Sequence, residues 1–276
     1  MTTTYYDVPL LKGPVWTWEV PLYFFVGGAA GGAALIGSVA RWSGTNGTLA
    51  RDATWVAAAG GPISAALLTA DLGRPERFVN MLRVFKPQSA MSVGSWTLTA
   101  FSASSTAALV PALSPAASAA SAALGAGMLT YTGVLIGATA IPVWHENVRL
   151  LPAHFAASGI GSAAALLTLM GHDEPALNDL AIGAAAAETL IGAALESRAG
   201  AAMAPLREGA SGWIVRCGGV LSGPVPLILR AASRKRSWRT VASLAALAGA
   251  LLTRFGWIAA GRASSRQKPS SSRVDS

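Results

Sequence analysis

Eight long stretches of this sequence run almost without charge, and nothing else about it restricts the fold so strongly. A hydrocarbon core of about 30 Å is crossed by about 20 helical residues. The runs therefore read as transmembrane helices over residues 20–40, 53–70, 94–113, 118–141, 152–170, 176–196, 212–229 and 241–260. The alternating pattern of a membrane β-strand is absent. The expected fold is all-α, an eight-transmembrane-helix bundle forming one membrane domain over 1–263, followed by a polar, basic, disordered tail over 264–276. The first run follows Trp16, Trp18 and Glu19 rather than a basic segment, and no small-residue cleavage site closes it. It reads as a retained span, not a signal peptide.

Composition agrees: of 276 residues, 52% are hydrophobic and only 12% charged. The net charge of +8 lies between apolar runs rather than on one basic face, which argues against nucleic-acid binding. A single cysteine, Cys217, excludes an internal disulfide framework, a thiolate-held iron–sulphur cluster and a four-thiolate zinc site. Any metal redox centre must belong to a partner. The nine tryptophans fall near the ends of the proposed spans, where headgroup-level anchoring is expected. Small residues four apart, at Gly27/Gly31, Gly28/Gly32, Gly133/Gly137 and Gly219/Gly223, predict close helix contacts.

Eight spans put both termini on one face. That face receives the larger share of Lys and Arg, yet the densest cluster, RAASRKRSWR over 230–239, lies in a connection on the other. Arg74, Arg77, Arg83 and Lys86 share their connection with acids and can pair there, so basic-residue bias leaves the orientation open.

An ionisable group at bilayer depth is costly unless paired or hydrated, which makes each one a candidate for function. Threading the spans places Glu188, Arg216 and Arg254 in the half nearer the termini, with Glu19, Asp71 and Glu196 at that boundary and Asp179 as the exception. Glu188 and Arg254 fall at similar depth on the sixth and eighth spans, as a buried ion pair, a proton path, or both. Glu19 precedes Pro21 and either caps the first helix or stands as a carboxylate at the mouth of a polar cavity. Tyr131 lies on the same side and either bonds a neighbouring helix or meets a ligand. The histidines His145, His154 and His172 lie in or beside connections, with no pair set inside two spans as a membrane haem requires. Phosphate-loop, zincin and nucleophile-elbow spacings are absent, and no metal site is expected.

The connection ADLGRPERFVNMLRVFKPQSAMSVGSW is too ordered in its Gly, Pro and Arg placement for a generic loop. With WTWEVPLYFFVGGAAGG, YTGVLIGATAIPVW, LLPAHFAASGIGSA and LLTRFGWIAAG, it resembles the NrfD/PsrC-type membrane subunit of polysulphide-reductase-like complexes over most of the chain. The resemblance implies a quinone/quinol-reactive anchor without haem or iron–sulphur cluster of its own. It implies docking to a ferredoxin-like subunit with four-iron clusters, which wires a molybdopterin-type catalytic subunit. It implies a quinone (menaquinone or ubiquinone) near the face that meets those partners, lined by the start of the first span (Trp16, Thr17, Tyr23) and by a tyrosine that Tyr131 matches. Sulphur-reducing members bring an Asn and a His to the quinone, whereas this chain reads Trp16-Thr17-Trp18-Glu19, so Glu19 or Thr17 would bond the quinone oxygen. The resemblance also sets the chain in the bacterial cytoplasmic membrane, with the termini and the DLGRP connection on the non-cytoplasmic side.

On this reading Tyr131 hydrogen-bonds one quinone oxygen and Glu19 exchanges the proton. Asp71, Arg74 and Arg77 shape the partner-facing connection or form a salt-bridged turn. The competing readings are a proton or small-solute transporter without redox partner, suggested by Glu188 and Arg254 and by Gly and Pro inside spans, and a purely structural anchor.

Overall fold

Backbone that leaves water must close its own hydrogen bonds, and an apolar sequence rich in Ala and Leu does so as helices. The structure is a computed structural model that describes residues 13–266 apart from Thr45, Ala199 and Arg234, and Pro75 by its backbone only. Among the described residues there is no strand. Long helices α1 (Glu19–Ser43) and α2 (Gly47–Asp71) lead through short α3 (Pro75–Met81) to α4 (Ala90–Ala107) and α5 (Ser114–Gly137). Short α6 (Pro142–His145) precedes α7 (Leu150–Leu169) and α8 (Pro175–Ser197). A 3-10 turn and α9 (Ala204–Arg207) then lead to α10 (Gly209–Ser222), α11 (Pro224–Ala232) and α12 (Arg236–Ser265).

Seven segments are long and apolar enough to cross a membrane: α1, α2, α5, α7, α8, the α10–α11 pair and α12. The expected third span is α4, which packs against α2 and α5 but is rich in Ser and Thr. Their hydroxyls turn back onto the helix, as in Thr97 to the Val93 carbonyl and Thr99 to the Ser95 carbonyl, each 2.8 Å. α4 ends six residues before position 113, because Pro111 disfavours helical backbone in the residue before it. Pro115 in the first turn then starts α5 at Ser114, four residues earlier than expected. The seventh span is not continuous: it breaks at Gly223, where Pro224 and Pro226 have no N–H to return to the carbonyls four residues back. α12 runs to Ser265, past the expected domain limit at 263; positions 267–276 of the expected tail lie outside the described residues.

α1 is the most enclosed helix, with 72% of its apolar window buried, and packs against α2, α5, α7 and α12. Close approach needs the small residues there. A Cβ on Gly31 would lie 2.6 Å from the Gly125 carbonyl oxygen of α5, and one on Gly32 2.8 Å from that of Gly159 in α7. Gly219 departs from this pattern, since a Cβ there meets nothing within 4 Å. Two of the nine tryptophans also depart from the headgroup expectation. Trp144 and Trp257 are wholly buried, joined by the Trp144 indole N–H donating to the Trp257 carbonyl at 2.9 Å. A Cβ on Gly261 would lie 2.0 Å from the Trp144 ring, so α12 needs glycine there to receive it.

The threading holds in space. Thr17 before α1 bonds Asp71 at the end of α2, and Arg262 near the end of α12 donates to the Trp16 carbonyl, so these ends share one face. At the other face Asn46 donates to Glu174. Arg230 and Arg239, expected as loop charges, are buried there instead. Arg230 donates to Asn178 at 3.1 Å and Ser243 at 2.6 Å, and Arg239 pairs with Asp173. An arginine that ends a helix inside a bundle can satisfy its fork only on neighbouring helices, which hydropathy along one chain does not register.

Candidate functional site

On the face that carries the described chain ends, α1 to α5 and the segment before α1 enclose a cleft of about 50 Å3. Tyr23 is one turn into α1, and Tyr131 sits on the last two turns of α5. Both are buried, with their hydroxyl oxygens 3.0 Å apart. Two phenols hold two protons, and their mutual bond uses one; the other remains available to a third group. The Tyr131 ring lies close against α4 at Gly94, where an added Cβ would be 2.0 Å from the ring. That contact gives a physical meaning to the glycine of SVGSW.

Trp16 closes the cleft on one side. It stacks on Trp144 with centroids 5.5 Å apart and meets Phe24 edge-on at 6.3 Å. Met81 of α3, Met91 of α4 and Asp71 of α2 also line the cleft. The Asp71 carboxylate accepts from the Thr17 backbone N–H at 2.9 Å and lies 2.8 Å from the Thr17 hydroxyl. The same hydroxyl contacts the Glu19 carboxylate. Glu19, Thr17 and Asp71 thus form a contiguous chain of polar groups at this face. Glu19 makes no side-chain cap at the helix start, and it stands behind Asp71 rather than lining the cleft.

The remaining candidates lie elsewhere. Arg74 and Arg77 are exposed at the α2–α3 turn; Arg77 donates to the Leu72 carbonyl at 3.2 Å. Among the described residues, none of Arg74, Arg77, Arg83 and Lys86 forms an ion pair, which leaves the connection's basic charge unpaired. Arg216 is half-exposed and bonds Glu196 through two nitrogens. Glu188 and Arg254 are both buried in the half formed by α7, α8 and α10–α12, but their charged atoms are not in ion-pair contact. Ser222 donates to Glu188, while Arg254 donates to the Phe155 carbonyl at 3.1 Å and covers the Phe155 ring at 3.8 Å. His154 and His172 lie toward opposite ends of α7, and His172 bonds Asp52 at 3.0 Å. No group of three His, Cys, Asp or Glu is placed to hold a metal among the described residues.

Gly94, Trp144 and Arg262 support the site and were not singled out from the sequence. Gly94 and Trp144 fall inside the motif stretches, but only helix register reveals that one seats a phenol ring and the other backs Trp16.

Fold and cleft together define an all-helical, multi-pass membrane protein with a phenol pair and two carboxyl groups bridged by a hydroxyl at one face. The chain belongs to the NrfD-type polysulfide reductase family, whose description, polysulfide reductase, is matched over residues 1–266. It is a membrane subunit of a redox complex. Among individually curated proteins none matches the chain.

Proposed function

We propose that this subunit exchanges electrons between the membrane quinone pool and a partner bearing four-iron clusters, itself joined to a molybdopterin-type catalytic subunit. The observation that carries the reading is the buried Tyr23–Tyr131 hydroxyl pair, 3.0 Å apart, beside the Glu19–Thr17–Asp71 relay. Quinol oxidation releases two electrons and two protons, so its site needs hydrogen bonds at the ring oxygens and a proton route to water. Tyr131 would bond one ring oxygen, with Tyr23 fixing its hydroxyl. Asp71 takes the two released protons in succession and passes each through Thr17 to Glu19, which gives it to water. The electrons leave to the partner's clusters.

The cleft's about 50 Å3 is well below the roughly 300 Å3 and above of sites that enclose a small molecule. The ring therefore enters by displacing side chains, and unbranched Met81 and Met91 are the ones suited to yield. The exposed connection carrying Arg74, Arg77, Val79, Val84 and Phe85 combines basic charge with apolar surface next to this cleft, and is assigned to the cluster-bearing partner. We assign the chain to the bacterial cytoplasmic membrane, with this face on the non-cytoplasmic side. Replacing Tyr131→Phe in the assembled complex should lower quinol turnover about tenfold, the worth of one well-made hydrogen bond, without loss of the partner subunits. Wild-type turnover in that variant would remove Tyr131 from the site.

A further inference from the structure

A cavity of about 400 Å3 lies between α8, α10 and α12, in the half of the molecule that the quinone reading does not use. Glu196, Arg207 and Arg216 stand at its outer end, on the face shared with the described chain ends. Glu188, His154 and Thr253 stand at its inner end. Glu188 is nine residues before the end of α8, about 14 Å below it at 1.5 Å per residue, near the middle of the hydrocarbon layer. Its polar surroundings are incompletely satisfied by protein: His154 Nδ1, Trp257 Nε1, and Arg254 Nε and Nη1 are buried without a hydrogen-bond partner. Arg254, which lies near Glu188 without touching it, needs hydrogen bonds beyond the Phe155 carbonyl, and a small polar molecule in the cavity can supply them. The helix break at Gly223 adds to this. Pro224 lines the cavity, and Ser222 at the last turn before the break donates to Glu188.

We propose that this cavity is a hydrated vestibule and that Glu188 exchanges protons through it with the membrane face that carries the described chain ends. In the step itself a hydronium in the vestibule gives its proton to a Glu188 carboxylate oxygen, leaving water, and the reverse returns it. The charged and titratable groups facing Glu188 are Arg254 from α12 and His154 from α7; α10 presents Ser222. Arg254 keeps the carboxylate from being an isolated buried charge, and the missing direct contact keeps it free to be protonated.

The inference does not depend on quinone chemistry, and its test uses none. Gly192 lines the cavity one helical turn from Glu188, and a Cβ there meets nothing within 4 Å, so Gly192→Cys fits. Leu190 on the same helix faces outward, 71% exposed. In the full chain with Cys217→Ser, held in sealed membrane vesicles, a membrane-impermeant quaternary-ammonium thiol reagent should label Gly192→Cys at least about tenfold faster than Leu190→Cys, the effect of one pKa unit on the thiolate. Labelling should occur from the face on which Phe85→Cys reacts. Equal slowness at both positions, or labelling from the opposite face only, would overturn the vestibule. Proton exchange is read separately, from the ratio of cationic to anionic reagent rates at Gly192→Cys, in which thiolate content cancels. That ratio should fall at least about threefold on going from mildly alkaline to mildly acidic buffer and lose this dependence in Glu188→Gln. A ratio insensitive to pH, or one equally sensitive without Glu188, would overturn the role of Glu188.

Discussion

Gly94 and Tyr131 act as one unit, because the ring occupies the space that any Cβ at position 94 would take. Gly94→Ala therefore has to push the phenol aside. It should cost about 1–3 kcal/mol of stability, read by thermal unfolding of the complex, and lower quinol turnover at least as much as Tyr131→Phe. Unchanged turnover would mean that the phenol's position is immaterial. Asp71→Asn tests the relay differently: the amide keeps a hydrogen bond to Thr17 but cannot take up a proton. Turnover should fall about a hundredfold with little change in KM if proton transfer passes through it. Residue chemistry was partly legible in the sequence. Tyr131 and the Trp16–Glu19 stretch stand out because polar and amphipathic side chains are rare at bilayer depth. The relay was not legible, since Thr17 and Asp71 are 54 positions apart and meet only when α1 and α2 pack antiparallel.

At the scale of elements, glycines that look alike in sequence differ in what they face, even within one pair: Gly223 packs on Thr189 of α8, and Gly219 does not. Gly31 and Gly32 of α1 press on backbone of α5 and α7, whereas Gly219 of α10 faces open space. Gly32→Leu should therefore abolish accumulation of the folded subunit in membranes, while Gly219→Ala should leave its stability within about 0.5 kcal/mol, both measured by membrane-fraction yield and thermal aggregation. A similar loss in both variants would contradict the packing described. Spacing alone cannot separate these cases, because a small residue every four positions marks a smooth helix face without saying what faces it. The α10–α11 break has the same origin. Its apolar run is continuous, so hydropathy reads one span, and Gly223 with two prolines states the interruption only in backbone terms. α4, read as the third span, is the converse case, because its hydroxyls lower its hydropathy while bonding back onto carbonyls of its own helix.

In the whole molecule, the tyrosine cleft and the Glu188 cavity occupy different halves, joined where α1 and α5 pack on α7 and α1 packs on α12. Both open toward the face where the unpaired cations of the α2–α4 connection lie. Reversing charge there with Arg74→Glu and Arg77→Glu should weaken association with the cluster-bearing partner and flatten its dependence on ionic strength, measured by co-purification across a salt series. Unaltered co-purification would move the partner elsewhere. The bundle was legible because lipid permits so few architectures, whereas the family was legible through its motifs and the proposed partners rest on resemblance alone. The central claim is that quinol is oxidised while hydrogen-bonded at the phenol pair, its electrons passing to the proposed partner's clusters. Its most direct measurement is rapid mixing of quinol with membranes holding the complete complex, following reduction of the partner's iron–sulphur clusters. Cluster reduction slowed about a hundredfold or more in Tyr23→Phe/Tyr131→Phe, with subunit content unchanged, is the predicted result. Reduction at the wild-type rate in that double variant would contradict it.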